Sequence, residues 1–275
     1  MRLDPEDIRR AVRAALDEDI GSGDVTSEAT IPADATATAA MVARQSLVVA
    51  GIEFAETAFT GANVTRHAND GDSVSKGAKL LTIQGNTRGI LTAERVALNF
   101  VQRLSGFATL TRQFVDAIAG TRAKILDTRK TTPGWRKFEK YAVRCGGGEN
   151  HRFGLFDMVL IKDNHLAALG GDVAAAVRTA RKKFPKLKVE VEADTLEQVA
   201  KGADAGADII LLDNMAPDQL RKAVGLVHGR CKTEASGGVN LRTARAIAET
   251  GVDYISVGAL THSAPAVDIG LDFQS

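Results

Sequence analysis

Residues 122–152 read RAKILDTRKTTPGWRKFEKYAVRCGGGENHR. The apolar run Ile125-Leu126 stops at four polar residues, Asp127-Thr128-Arg129-Lys130. Pro133-Gly134 then introduces a helical pattern that lasts to Arg144: a strand, a loop and a helix. The unit recurs along the rest of the chain. Strand cores are predicted at Lys124–Leu126, Met158–Ile161, Leu187–Val191, Asp208–Leu212, Cys231–Ala235 and Tyr254–Val257. Helices are predicted at Pro133–Arg144, Val173–Phe184, Leu196–Ala205, Pro217–Val227 and Leu241–Thr250. Short apolar strands separated by such helices mean a parallel sheet with helical crossovers. Six repeats favour a (β/α) barrel over an open sheet, and no glycine fingerprint after the first strand supports a dinucleotide fold.

The same stretch concentrates charge. It holds nine Lys/Arg against three Asp/Glu, in a chain whose formal net charge is +1, so the remainder is mildly acidic. A polyanionic ligand is one reason to gather charge this way. Arg136, Lys137, Lys140 and Arg144 have helix-surface spacing and also read as a solvated face. The run Gly146-Gly147-Gly148, leading to Asn150-His151-Arg152, suggests backbone packed close to something, or a flexible loop.

Composition bounds the rest. A chain of 275 residues with 44% hydrophobic and 5% aromatic content suits a layered α/β fold. The near-zero net charge and the lack of an aromatic stacking surface argue against a nucleic-acid binder. No apolar run is long enough for a bilayer, and the N-terminus reads as an acidic amphipathic helix rather than a signal peptide. Cys145 and Cys231 have no metal spacing and read as free thiols in a reducing cytoplasm.

Asp4 to Leu16 is a predicted helix with Asp4 as cap, followed by an acidic, glycine-punctuated loop from Asp17 to Thr26. That loop lacks the alternating oxygen ligands of a calcium loop. Ala35–Ala43, Ser46–Ala50, Val64–His67 and Leu80–Ile83 read as strands and Glu53–Phe59 as a short helix. The turn-rich Asp70–Gly77 has some flavour of a lipoyl carrier but no lysine at its tip. Leu91 to Ala119 reads as helix with a break at Ser105-Gly106, where the domain boundary is placed. The expected organisation is a small N-terminal α+β domain, 1–105, followed by an α/β barrel domain from 106 on.

In such barrels reactive groups lie at the carboxyl ends of the strands. The exits here are Asp127-Thr128-Arg129-Lys130, Lys162-Asp163-Asn164-His165, Glu192, Asp213-Asn214, Ser236-Gly237-Gly238, and Gly258-Ala259 after Val257. Ser236-Gly237-Gly238 precedes a helix, and free amides with a helix dipole hold phosphate. Glu192 and Asp213 lie on neighbouring strands. They suit Mg²⁺ on a phosphorylated substrate, a developing positive charge, or an ion pair with Lys162 or Arg129. Arg129, Lys130, His151, Arg152 and Lys162 supply donors for carboxylate or pyrophosphate. Arg95, taken alone, is an ordinary surface residue.

The motifs DTRKTTPG, KYAVRCGGGENHR, LIKDNH, VEVEAD, LLDN, EASGGVN and GVDYISVGALTHS, in that order, closely resemble the quinolinate phosphoribosyltransferases. The likeness runs from EDIGSGDVTS to DIGLDF. It implies transfer of phosphoribosyl from 5-phosphoribosyl-1-pyrophosphate to quinolinate with loss of CO₂, giving nicotinate mononucleotide in de novo NAD biosynthesis, with Mg²⁺. It implies an incomplete, open barrel domain over 106–267, an N-terminal α+β sandwich domain joined by the tail 268–275, and a homodimer in which Arg95 reaches the partner's site. Thr128, Arg129, Lys130, His151, Arg152 and Lys162 would surround the quinolinate carboxylates and nearby phosphate groups. Glu192 and Asp213 would face ribose and Mg²⁺-pyrophosphate. Ser236, Gly237, Gly238, Val257, Gly258 and Ala259 would cradle the 5-phosphate. Lys130, Lys162, Glu192 and Asp213 are the expected catalytic set. Trp135 stands where a smaller aliphatic residue would follow TTPG. The rivals are another enzyme on the same scaffold whose substrate is not quinolinate and a non-catalytic phosphosugar- or nucleotide-binding protein.

Overall fold

The computed structural model describes residues 2–274. The chain divides into two compact units. The first gathers Met1–Arg112, Lys137–Gly147 and Ala264–Ser275; the second gathers Gln113–Arg136 and Gly148–Ser263.

In the first unit, α1 (Pro5–Ile20) opens where the Asp4 carboxylate accepts the Glu6 amide. It runs beyond Leu16 and stops at Gly21, whose φ is 52°, so the loop expected from Asp17 begins as helix. A short helix, α2 (Val25–Thr30), capped by Asp24, follows. Then come β1 (Thr36–Ala43), β2 (Leu47–Val48), α3 (Ile52–Ala58), β3 (Asn63–Arg66), β4 (Ser73–Val74) and β5 (Lys79–Asn86). β1 and β3 flank β5, both antiparallel to it.

Helix α4 (Thr87–Ala117) is unbroken, which corrects the expected break at Ser105-Gly106. Both residues are contact positions instead. The Ser105 hydroxyl accepts the Ala50 amide at 2.9 Å. A Cβ on Gly106 would lie 2.1 Å from the Pro265 carbonyl oxygen, so glycine there admits a neighbouring backbone.

The second unit takes the last turn of α4 from Gln113, and its first strand is β6 (Lys124–Leu126). Helix α5 (Arg136–Cys145) begins later than predicted: Gly134 has φ of 80°, and the Trp135 amide closes a turn on Thr132. From Lys137 onward α5 belongs to the first unit, and its basic residues divide: Arg144 is exposed, Arg136 and Lys137 are half-buried, and Lys140 is buried. Lys140 is 1% exposed, Lys137 pairs with Asp7, and Phe138 meets Phe54 edge-on with ring centroids 5.1 Å apart. After α5, Gly146 is packed close, since a Cβ would lie 2.4 Å from the Ala108 carbonyl oxygen.

Strands and helices then alternate: β7 (Val159–Ile161), α6 (Asp163–Ala168), α7 (Val173–Lys183), β8 (Val189–Ala193), α8 (Leu196–Asp204), β9 (Ile209–Asp213), α9 (Pro217–Val227), β10 (Lys232–Ser236), α10 (Leu241–Ala248), β11 (Tyr254–Ser256) and α11 (Ala259–His262). All pairings in this sheet are parallel, in the order β6-β11-β10-β9-β8-β7. Among the described residues β6 and β7 do not pair with each other, so the barrel-like sheet is open there; a bridge joins Leu126 to Glu149. The last strand, β12 (Ile269–Phe273), returns to the first unit and pairs antiparallel with β1.

Alternation along the parallel strands decides what faces inward. In β8, Val191 turns toward α8, lying 3.0 Å from the Cβ position of Gly202, while Glu190 and Glu192 take the other face. In β9, Ile210 packs on the same glycine, which leaves Leu211 and Asp213 on the inner face. The registers Glu192 to Leu211 and Ser236 to Asp213 set these inner residues side by side.

Candidate active site

A cavity of about 570 Å³ opens at the carboxyl ends of all six parallel strands. Thr128, Arg129, Lys130, His151, Arg152, Lys162, Glu192, Asp213, Ser236, Gly237, Gly238 and Gly258 all line it. Val257 is buried below the surface and Ala259 starts α11; neither is in the lining. Arg95 is exposed on α4 and also lies outside the lining.

One wall is cationic. Asp127, fully buried, shapes it: its carboxylate accepts the Asn150 side-chain amide at 2.6 Å and the His151 backbone amide at 3.0 Å. The Arg152 amide in turn donates to His151 Nδ1 at 2.7 Å, which makes Nε2 the protonated nitrogen. Nε2 lies 3.1 Å from Glu190 and 3.5 Å from Glu234. The arginines are incompletely satisfied: Arg129 Nε and Arg152 Nε are buried without an acceptor. Burial, and then the neighbouring Arg129, lowers the Arg152 guanidinium from its ordinary value. Orphaned donors beside one another in a cavity are completed by an anion.

The opposite wall is acidic. Oxygen atoms of Glu192, Asp194 and Asp213 lie within 4.8 Å of one another. Among the described residues no close ion pair joins Glu192 or Asp213 to Lys162 or Arg129, although the charge of Lys162 partly offsets the rise of both carboxyls. Burial, and then the adjacent Asp213, raises Glu192; burial also raises Asp213, partly offset by a hydrogen bond from Asn214. Three hard oxygen donors gathered this way are a set that could hold a divalent cation. At the third edge, Gly237 and Gly238 have φ of 95° and 60° ahead of the Asn240 cap of α10, a turn that exposes backbone amides. Gly258 is held free of a side chain because His262 Nε2 and the Lys130 stem lie 3.1 and 3.4 Å from its Cβ position.

Several residues of this site escape sequence reasoning. Asp194 follows Glu192 by two and shares its face, a period-two signal that was available in VEVEAD. His262 also lines the cavity; of the exit Lys162-Asp163-Asn164-His165, Asp163 lines it too, whereas His165 serves α6 by accepting the Lys162 amide at 3.0 Å. Glu190 and Glu234 are fully buried beside His151; burial pushes them up to about 7 and about 8. Nothing in an apolar-looking strand marks an inward carboxylate as distinct from an exposed one.

Known proteins agree along the chain. Residues 24–105 match the quinolinate phosphoribosyl transferase N-terminal domain, and residues 107–272 match the C-terminal domain. A carboxylating nicotinate-nucleotide pyrophosphorylase of Mycobacterium leprae is 48% identical over 274 residues, 96% of each chain. A decarboxylating quinolinate phosphoribosyltransferase of Nicotiana tabacum, a mitochondrial one, is 46% identical and covers 98% of this chain and 83% of its own. Among solved structures, the nicotinate-nucleotide pyrophosphorylase of Francisella tularensis superposes with a TM-score of 0.94 at 41% identity, covering 99% of this chain and 98% of that one. With both family domains matched in order over almost its whole length, the chain belongs to the quinolinate phosphoribosyltransferase family.

Proposed function

We propose that this chain is the enzyme that transfers phosphoribosyl from 5-phosphoribosyl-1-pyrophosphate to the ring nitrogen of quinolinate and releases CO₂. The products are nicotinate mononucleotide and pyrophosphate, in de novo NAD biosynthesis. The observation that carries this reading is the pairing, in one cavity, of buried arginine donors without acceptors and a facing cluster of carboxylates. A dicarboxylate completes the first; a ribose that develops positive charge is stabilised by the second.

Arg129, Lys130, Arg152 and Lys162, with Thr128 and His151 between them, hold the two quinolinate carboxylates and orient the ring nitrogen toward C1 of the sugar. Ser236, Gly237, Gly238 and Gly258 hold the 5-phosphate. The C1–oxygen bond breaks and pyrophosphate leaves with the electron pair. Glu192 and Asp213 stabilise the cationic ribose, and the nitrogen attacks C1. The pyridinium then withdraws electrons from C2, the carboxylate there leaves as CO₂, and C2 takes a proton. Mg²⁺ would be held by Glu192 and Asp213, with Asp194 beside them, and would neutralise charge on the pyrophosphate.

The active assembly is a homodimer in which Arg95 of the partner subunit completes the cationic wall. Support comes from the exposed position of Arg95 and from Leu155 and Phe156, apolar side chains 74% and 72% exposed just after the His151-Arg152 segment. The enzyme acts in the cytoplasm, a placement that suits the free thiols Cys145 and Cys231.

Removing a charge-stabilising group tests the roles. Lys130→Ala and Glu192→Ala each lower turnover by about 10²–10³-fold, the usual effect of losing one such group. Wild-type turnover in either variant would contradict the assignment.

A further inference from the structure

We propose that Asn214 is a positioning residue that ties the Asp213 carboxylate to the Ser236–Gly238 turn, so that the ribose and phosphate ends of the sugar site are set as one piece. The inference rests on the phosphoribosyl reading of the cavity.

Among the described residues two non-glycines have positive φ, Asn214 at 53° and His228 at 48°. Asn214 lines the cavity; His228 is the C-cap of α9. The left-handed conformation is unfavourable for a residue with a Cβ, and here it aims the Asn214 groups at two neighbours. The side-chain amide donates to Asp213 Oδ2 at 2.6 Å. The backbone amide donates to the Ser236 carbonyl at 2.9 Å. The side-chain carbonyl occupies the space beside Gly237, where a Cβ would fall 2.0 Å from Oδ1 and 3.0 Å from the Asn214 nitrogen. One side chain is therefore wedged between a carboxylate of the acidic wall and the turn that presents amides to phosphate.

A plain turn role is the competing account, because asparagine is the residue most often tolerated at such a φ. Glycine separates the two. It adopts the same backbone without strain but offers no amide to Asp213 and no wedge at Gly237. If Asn214 only makes the turn, Asn214→Gly is neutral. If it positions, the carboxylate loses a fixed partner and the turn gains freedom, and both groups must then be ordered by the ligand itself.

The test measures, by calorimetry, binding of 5-phosphoribosyl-1-pyrophosphate with Mg²⁺ to wild type, Asn214→Gly and Asn214→Asp, with steady-state KM for both substrates. Asn214→Gly is expected to melt where wild type does, to bind the sugar pyrophosphate about tenfold or more weakly, and to keep its KM for quinolinate. Asn214→Asp, which keeps the shape but replaces the donor with an acceptor, is expected to lose at least as much. Sugar-pyrophosphate affinity within twofold of wild type in Asn214→Gly overturns the proposal, as does an equal rise in both KM values. If wild type itself fails to bind the sugar pyrophosphate, the reading of the site falls and the proposal falls with it.

Discussion

At Arg129 and Arg152 the fold leaves guanidinium nitrogens buried and unpaired, and at Glu190 and Glu234 it buries carboxylates beside His151. Both are unstable choices for a protein that binds nothing. The first is answered by an anionic substrate; the second has a consequence for stability. Burial, and then Glu190, raises the Glu234 carboxyl to about 8 from an ordinary 4.5. Between those values the native state holds more protons than the unfolded chain, so this group's contribution to stability falls as pH rises. Glu234→Gln removes that dependence. Its melting temperature relative to wild type is expected to be higher at pH 8.5 than at pH 5. Scanning calorimetry at the two pH values checks it, and a difference that does not change with pH contradicts it. Strand-exit position alone made Glu192, Asp213 and the Ser236 turn legible in the sequence. Glu190 and Glu234 were not legible, because their importance comes from being inward and unsolvated.

Elements were easier to read than their junctions. The strand–helix alternation after Gly120 is carried by short apolar runs, and the parallel order of β6 to β11 follows from it. What failed was punctuation. Ser105-Gly106 looks like a helix break, yet the helix passes through because tertiary contacts use the small residues. Pro133 looks like a helix start, yet the left-handed Gly134 delays α5 to Arg136. Lys140 looks like a surface lysine on helical spacing and is buried. At Ser105-Gly106 the deciding partners, Ala50 and Pro265, lie far along the chain; at Pro133 the decision is local. Gly106→Ala puts a Cβ 2.1 Å from the Pro265 oxygen and is expected to destabilise by about 1–3 kcal/mol, the range for overpacking. Chemical denaturation measures it; a variant as stable as wild type would mean that Pro265 yields freely.

For the molecule as a whole, the account requires two copies. If Arg95 acts in the partner's cavity, Arg95→Ala and Lys130→Ala damage different halves of one composite site. Each homodimer is then inactive, but a mixed dimer has one intact site. Co-refolding equal amounts is expected to restore about a quarter of wild-type activity, the share of intact sites under random pairing. No recovery above the separate variants would place both residues in one subunit's site or deny the dimer. The central claim is the reaction itself. Purified protein with 5-phosphoribosyl-1-pyrophosphate and Mg²⁺ is given quinolinate in one assay and nicotinic acid in another, and nicotinate mononucleotide and CO₂ are followed. The account predicts both products from quinolinate and none from nicotinic acid, because the cationic wall is built for two carboxylates. No product from quinolinate, or equal turnover of nicotinic acid, would contradict it.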